Sequence, residues 1–267
     1  MVETIRALEV NQKYYQISQR LKISEEIPAF DVDRASVAQL IEMARAEDRD
    51  LLLSEALEVL EHYGIPTSRS LVACDVDQAQ EAAEQIGYPV VIKVISDQIS
   101  HKSDVGGVQL NLRSREAVKE ASEEMLARMK QIYPDVVLDG LLVQPMVTGG
   151  YEMILGGRQD PQFGPVVMAG LGGIFVEIIE ETSVRVAPIS RRIAEEMIYN
   201  LRGAQILRGA RGHHASDVDS VIESLLRLSQ LLSDFPEIAE LDINPLRVLA
   251  QGEGCMALDA RMILARE

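Results

Sequence analysis

The sequence lacks the features by which a chain enters a membrane or leaves the cell. No stretch approaches the roughly 20 consecutive apolar residues that cross a bilayer, and the first residues do not show a basic segment followed by an apolar one. Cysteine is scarce as well, because Cys74 and Cys255 have no second cysteine or histidine at metal-ligand spacing. We therefore expect a cytoplasmic chain with no membrane contact and two buried free thiols.

Positive charge is also scarce. The 26 lysines and arginines stand against 42 aspartates and glutamates, which gives a formal net charge of -16. Such a chain repels nucleic acid and anionic membrane surfaces, so neither is an expected partner. An acidic chain that binds a polyphosphate needs placed lysines, backbone N–H groups or a divalent cation to offset the negative charge.

What the sequence does contain is enough apolar material for a substantial core, 47% of 267 residues. Strand and helix patterns alternate with turn signals in two stretches, which predicts two α+β lobes with a cleft between them. We place a helical N-terminal arm or linker at 1–50, a first lobe at 51–135 and a second lobe at 136–267. The strand predicted at 140–147 opens the second lobe.

Helix starts can be assigned from capping residues. Asp33 is the expected N-cap of the helix in the N-terminal arm. Further helices are predicted at 75–86 and 114–133 from the spacing of their apolar residues.

The most informative segment is a pair of closing strands joined by a turn at 251–254 (QGEG). Counting outward from Gly252, Asn244 lies eight residues before and Asp259 seven after, so their side chains are expected to face each other. Amide and carboxylate oxygens side by side suit a hard cation such as Mg²⁺, which keeps waters and phosphate oxygens as its other ligands. Asp242 points to the same face. The alternative is a set of solvent-facing residues on an edge hairpin.

A lysine and a histidine stand where a phosphate could satisfy them. Lys93 lies in the middle of the apolar strand VVIKVI, where its ammonium either opens onto a cleft or snorkels at a sheet edge. The loop HKSDVGGV follows, and its backbone N–H groups suit a phosphate contact. His101 in this loop could serve as ligand, proton carrier or nucleophile toward phosphorus, or be an ordinary surface histidine.

Two neighbouring stretches carry polar groups suited to a nucleoside. Glu152 is a lone acid in the apolar strand YEMILGG, and its carboxylate can accept hydrogen bonds from ribose hydroxyls. The preceding residues Gln144, Pro145, Met146 and Val147 could offer backbone groups to the edge of a base, as a segment that links two lobes often does.

Together these motifs resemble the ATP-grasp domain of the ADP-forming acyl-CoA synthetases, the relatives of succinyl-CoA synthetase. The resemblance covers about residues 51–263 and rests on motifs in a fixed order: EALEVLEHYGIP, YPVVIKV with SHKSDVGGV, LVQPMV with YEMILG, GPVVMAGLGGIFVE, and LDINPL followed by ALDA. It implies the ATP-grasp fold, an α+β fold of two lobes that holds ATP or ADP in the cleft between them.

The resemblance also implies roles for single residues. Lys93 would contact the nucleotide phosphates, the segment 144–147 would line the adenine, and Glu152 would hold the ribose. Asn244 and Asp259 would hold Mg²⁺.

The resemblance also implies which residues take part in phosphoryl transfer. Asp242 matches an acidic residue that steadies a phosphorylated histidine delivered by a partner subunit. His101 looks like the second histidine that the ADP-forming branch uses as a relay on the nucleotide-binding side.

The other half of such enzymes, a CoA-binding Rossmann domain, has no counterpart in the sequence. No GxGxxG follows a starting strand, and the first 50 residues are too few to hold the domain. We therefore expect either a hetero-oligomer with a CoA-binding Rossmann-type alpha subunit or a piece of a longer chain. The expected reaction is that of an acid–thiol ligase, in which acyl-CoA, ADP and phosphate reversibly give acid, CoA and ATP.

Two alternatives remain open from the sequence. A different ATP-grasp ligase would activate a carboxylate as an acyl phosphate in its own cleft, and His101 would then be dispensable. A nucleotide-sensing module of a larger regulatory protein would bind ATP without turnover.

Overall fold

The computed structural model describes residues 26–99, 102–173, 182–209 and 215–266. The helices in these ranges are α1 (Arg34–Ala46), α2 (Leu53–His62), α3 (Val76–Ile86), α4 (Arg115–Ile132), α5 (Arg191–Tyr199) and α6 (Val218–Asp234). The strands are β1 (Leu71–Ala73), β2 (Val90–Ile95), β3 (Val108–Leu112), β4 (Gly140–Pro145), β5 (Tyr151–Asp160), β6 (Gly164–Leu171), β7 (Thr182–Val186), β8 (Ile238–Val248), β9 (Cys255–Ala257) and β10 (Ala260–Leu264). None of the described helices is long and apolar enough to cross a membrane.

Helices α1, α3 and α4 begin where a short polar side chain caps them. The side chains of Asp33, Asp75 and Ser114 each accept a hydrogen bond from the backbone N–H three residues further on. Such a cap satisfies an N–H group that the first turn leaves without a partner, and it depends only on nearby residues. The predicted N-cap at Asp33 and the helices predicted at 75–86 and 114–133 are confirmed.

The smaller sheet has four strands in the order β1-β4-β2-β3, with antiparallel neighbours throughout. Along β2, Val90, Ile92 and Val94 point into a core that α3 and α4 cover. Lys93 alternates with them and therefore lies on the opposite face. On that face Ile95 belongs to the core of the larger sheet, so this side of the smaller sheet turns toward the larger one.

The larger sheet has six strands in the order β10-β8-β5-β6-β7, with β9 also paired to β8. Helix α6 covers one face, where Leu225 and Leu232 are buried in one core with Met153, Leu155 and Ile243. Side chains that alternate with these buried ones, among them those of the acidic residues predicted for the site, lie on the opposite, open face. The open face of the larger sheet and the Lys93 face of the smaller sheet border the cleft.

Two expected lobe boundaries disagree with this packing. The strand predicted to open the second lobe is β4, which pairs with β1 and β2 and so belongs to the smaller sheet. Helix α1, expected in a separate arm, and α2, expected in the first lobe, bury Val37 and Leu57 in the core of the larger sheet. Strand pairing and helix docking join distant segments of the chain, and local sequence patterns do not carry that information.

The two thiols differ in their surroundings. Cys255 on β9 is buried, as predicted. Cys74 is exposed, contrary to the prediction, because β1 ends at Ala73 and Cys74 already belongs to the turn that leads into α3. Its backbone N–H donates to the Gln78 side chain in the first turn of that helix.

Candidate active site

Asn244 and Asp259 lie opposite each other, as the spacing around the turn predicts. Ile243 pairs with Ala260 and Leu246 pairs with Ala257, so one register runs through both ends of the hairpin. The backbone N–H of Asn244 donates to the carbonyl of Asp259 at 3.2 Å. Because β8 lies between β10 and β5, Asn244 is on an interior strand, but its side chain is exposed and β10 is the edge of the sheet.

Lys93 crosses the cleft from the smaller sheet to this hairpin. Its side chain is buried, with the residue only 6% exposed, so its ammonium does not snorkel to solvent. The Nζ atom donates to the Leu258 carbonyl at 2.6 Å and to Asp259 Oδ2 at 3.0 Å. A buried ammonium needs such partners, because desolvation without them is costly. The lysine and the acid that the sequence predicts for one site are therefore in direct contact.

A cavity of about 360 Å³ opens beside this contact. Its walls are the loop before β3 on one side and the hairpin on the other, and the lining residues are Lys102, Ser103, Asp104, Asp242, Asn244, Pro245, Asp259, Ala260 and Arg261. Of the residues predicted for phosphoryl transfer and metal binding, Asp242, Asn244 and Asp259 line it directly. His101 lies outside the described residues.

Asp242 is the most electrostatically perturbed acid of the cavity. Burial raises the pKa of its carboxyl to about 6, and the negative charges of Glu240 and Asp259 act in the same direction. Arg261, paired with Asp242 across β8 and β10, acts in the opposite direction. A carboxyl group with this pKa changes charge just below neutral pH, which suits a group that holds or exchanges a proton.

A second lysine, Lys102, lines the cavity itself, whereas Lys93 lies beside it. Burial lowers the pKa of its ammonium, Asp259 opposes that change, and the positive charges of Lys93 and Arg261 add to it. The loop is held in place by Gly107, whose N–H donates to the Lys102 carbonyl at 2.6 Å. A Cβ atom at Gly107 would lie 3.0 Å from that carbonyl oxygen and 2.8 Å from Val94 Cγ1, so glycine is needed for this close approach.

The end of β4 provides the connection between the two sheets. Pro145 ends β4 in the smaller sheet, and β5 in the larger sheet begins at Tyr151. Gln144 is 2% exposed and lies on the same face as Lys93, because it pairs with Val91 two residues away on β2. Its Nε2 has no hydrogen-bond partner among the described residues, so a buried donor stands free at the cleft. The Met146 N–H is taken by the Pro89 carbonyl at 2.9 Å.

Glu152 is held at the start of β5 rather than left free. Its Oε1 accepts a hydrogen bond from Arg247 Nη2 at 2.7 Å, and the two residues are paired across β5 and β8. The glycine-rich turn after β6 closes against it, because Gly173 has a φ of +61° and a Cβ atom there would lie 2.8 Å from Glu152 Oε2. A ligand that used this carboxylate would bind its second oxygen or share it with Arg247.

Three basic residues of this region have roles that the sequence patterns do not predict. Arg247 is revealed only by the pairing of β5 with β8, which no local pattern predicts. Arg261 had a signal, because it follows Asp259 by two residues in the same predicted strand and must share its face. Lys102 belongs to the predicted phosphate loop HKSDVGGV, but its place opposite the hairpin depends on how the two sheets meet.

The described residues contain no group of three or more histidine, cysteine, aspartate or glutamate side chains that could hold a metal ion. Asn244 and Asp259 nevertheless supply the hard oxygen donors that Mg²⁺ prefers. The residues present therefore fit a cation that takes most of its ligands from a bound phosphate and water.

Residues 42–264 match the family model described as the ATP-grasp domain. The chain is 43% identical to the "Acetate--CoA ligase [ADP-forming] I subunit beta" of Pyrococcus furiosus, over 87% of this chain and 100% of that protein. It is 41% identical to the "Acetate--CoA ligase [ADP-forming] I" of Archaeoglobus fulgidus, over 100% of this chain but 38% of the relative's length. The chain thus spans well under half of that longer relative.

A solved structure of the acetyl-coenzyme A synthetase 1 of Ca. Korarchaeum cryptofilum has the same architecture. It superposes with a TM-score of 0.73 and 38% identity, over 86% of this chain and 100% of the other. That structure is described as a complex with coenzyme A and Mg-AMPPCP, in which a phosphohistidine segment points towards the nucleotide binding site.

Proposed function

This chain belongs to the ATP-grasp family, in the group of the beta subunits of ADP-forming acetate–CoA ligases, and on that premise we propose that it is the nucleotide-binding part of an ADP-forming acyl-CoA synthetase. The ATP-grasp fold predicted from the sequence is confirmed. The observation that carries the proposal is the contact of Lys93 with Asp259 across the cleft, beside Asn244 and Asp242. One lysine from the smaller sheet and the oxygen donors of the larger sheet converge where the triphosphate end of a nucleotide would lie.

The reaction is shared with a partner that binds CoA, which we propose to be a Rossmann-type alpha subunit or domain. There phosphate displaces CoA from acyl-CoA to give an acyl phosphate. A histidine then takes the phosphoryl group from the acyl phosphate, and the carboxylate of the free acid leaves with the electron pair of the broken P–O bond. In the last step the P–N bond of the phosphohistidine breaks as a P–O bond to the terminal phosphate oxygen of ADP forms. The electron pair of the broken bond stays on the imidazole nitrogen, and all steps are reversible.

Within this chain, Lys93 lowers the negative charge at the phosphates, and Asn244 and Asp259 hold Mg²⁺ when it is bound with the nucleotide. A magnesium ion at this place would supply further charge neutralisation on the phosphoryl oxygens, the main source of rate in phosphoryl transfer. Lys93 already engages one oxygen of Asp259, so on nucleotide binding the ammonium shifts toward the phosphates.

The nucleoside end lies along β4 and β5 in this proposal. Gln144 through Val147 line the adenine, and the free Nε2 donor of Gln144 gives one observable reason for a ligand acceptor here. Glu152, steadied by Arg247, accepts hydrogen bonds from the ribose.

Asp242 and His101 act on the phosphoryl group rather than on the nucleotide. Asp242 lines the cavity and accepts a hydrogen bond from the ring N–H of the incoming phosphohistidine, which holds the ring in place. His101 relays the phosphoryl group between that histidine and ADP.

The proposal is tested with the purified chain and its CoA-binding partner. Asp259→Ala should abolish the Mg²⁺ dependence of ADP binding measured by calorimetry, and His101→Ala should stop turnover while ADP still binds. Glu120→Ala, an exposed acid on α4, is the matched control and should change neither.

Labelled ATP separates the proposal from its alternatives. Acid-labile, base-stable label on the chain supports a phosphohistidine. Tight nucleotide binding without label or turnover would favour a sensing module, and full turnover of His101→Ala would contradict the relay.

A further inference from the structure

Two basic side chains in the cavity have no partner. The side chains of Lys102 and Arg261 make no hydrogen bond or ion pair with any of the residues that the structure describes, although both line the cavity. Partners are plentiful in a chain with 42 acidic residues, and other arginines such as Arg49, Arg115 and Arg227 are paired with carboxylates at 3.0 Å or less. Because Lys102 and Arg261 line one cavity and neither side chain is held by a carboxylate, both are placed to bind the same anionic ligand.

The two cations come from opposite sides of the cleft. Arg261 stands on β10 opposite Asp242 of β8, on the open face of the larger sheet. Lys102 stands on the loop before β3, which belongs to the smaller sheet and is anchored by the bond from Gly107. Lys93 is already bound to the Leu258 carbonyl and Asp259, whereas these two are available to a ligand.

The same cavity presents carboxylates that would repel a phosphate. Asp242 and Asp259 both line it, and a phosphoryl group in transfer carries negative charge on three oxygens. A planar guanidinium can donate to two of those oxygens at once, and an ammonium adds a point charge from the other side. Together the pair can offset the charge of the two acids.

We propose that Lys102 and Arg261 form the binding site of the phosphoryl group in transfer. This group is the third, terminal phosphate of ATP, which ADP lacks. This inference rests on the proposed function and deepens it. It assigns the terminal phosphoryl group to Lys102 and Arg261, whereas Lys93 contacts the other phosphates of the nucleotide. The site has one cation from each sheet, and both already line the same cavity.

The test compares two nucleotides on the isolated chain in the presence of Mg²⁺. Calorimetric titrations with ADP and with AMPPCP, which carries the extra phosphoryl group, are made on the wild type, Arg261→Met and Lys102→Met. We expect each variant to weaken AMPPCP binding about 10- to 100-fold, the effect of one charge-assisted hydrogen-bonding group. ADP binding should stay within about threefold of the wild type.

The controls separate charge from fold. Arg158→Met removes an exposed arginine of the same sheet face that does not line this cavity, and it should alter neither titration. Arg261→Lys keeps the charge but loses the planar fork, so it should regain part of the AMPPCP affinity. Unchanged circular dichroism and melting temperature confirm that each variant is folded.

Equal weakening of ADP and AMPPCP in both variants, or no weakening in either, would overturn the assignment while the nucleotide site stands. If the wild type binds neither nucleotide, the proposed function is wrong, and the assignment of Lys102 and Arg261 is then wrong as well. Selective loss of AMPPCP binding that Arg261→Lys partly restores is the result that supports it.

Discussion

Replacing Asp242 with asparagine should make the chain more stable at neutral pH while it impairs phosphoryl transfer. The pKa of this carboxyl is raised from 3.8 to about 6 by burial and by the charges of Glu240 and Asp259, so ionisation opposes folding. Below pH 4 the group is protonated in both folded and unfolded chains and contributes nothing. As the pH rises from about 4 to about 6 only the unfolded chain loses the proton, so the wild type loses stability over that window and regains none above it.

The magnitude follows from that pair of values. Each pH unit between them is worth about 1.36 kcal/mol, so the full effect is about 3 kcal/mol. Water reaches part of the Asp242 side chain and screens it, and we therefore expect about 1.5 kcal/mol. Asparagine is nearly isosteric with aspartate but cannot ionise, so Asp242→Asn should exceed the wild type by this amount at pH 7.5 and match it near pH 4.

The assay is urea unfolding at a series of pH values from 4 to 8, in EDTA and without nucleotide, followed by circular dichroism. Glu120→Gln, an exposed acid on α4, is the control and should show no pH-dependent difference from the wild type. Glu240→Gln should give a smaller gain than Asp242→Asn, since it removes one of the charges that raise the pKa. A difference between Asp242→Asn and the wild type that does not change with pH would refute the reasoning.

Two of three further predictions concern residues around the cleft, and the third concerns the cap of α6. Gly107→Ala should destabilise the chain by about 1–3 kcal/mol in urea unfolding and weaken AMPPCP binding, because its Cβ would lie 2.8 Å from Val94 Cγ1 and displace the Lys102 loop. Gln144→Met should stabilise the nucleotide-free chain by about 1 kcal/mol, since it removes a buried donor without a partner, and should weaken ADP binding; a loss of stability would contradict this. Asp217→Ala should cost about 2–3 kcal/mol, more than Asp75→Ala at about 1 kcal/mol, because Asp217 caps α6 and also accepts the N–H groups of Gly252 and Gly254.

Much of the local structure could be read from neighbouring residues. Helix starts at Asp33, Asp75 and Ser114 follow from caps that reach only three residues along the chain. The opposition of Asn244 and Asp259 follows from a short turn, because in a hairpin the turn sets the register of both strands. The family resemblance added the ATP-grasp fold and the nucleotide, which spacing alone does not specify.

Only the tertiary structure decided which segments share a sheet and which charges meet. The sequence of β4 reads as a strand in either lobe, and its pairing with β1 and β2 depends on residues about 70 and 50 positions earlier. The partner of Lys93 lies 166 residues further along the chain, and the pKa of Asp242 depends on burial by elements that meet only after folding. The paired strands around Asn244 and Asp259 were determined locally, whereas the cavity with Lys102 and Arg261 exists because two sheets pack together, and packing is a property of the whole chain.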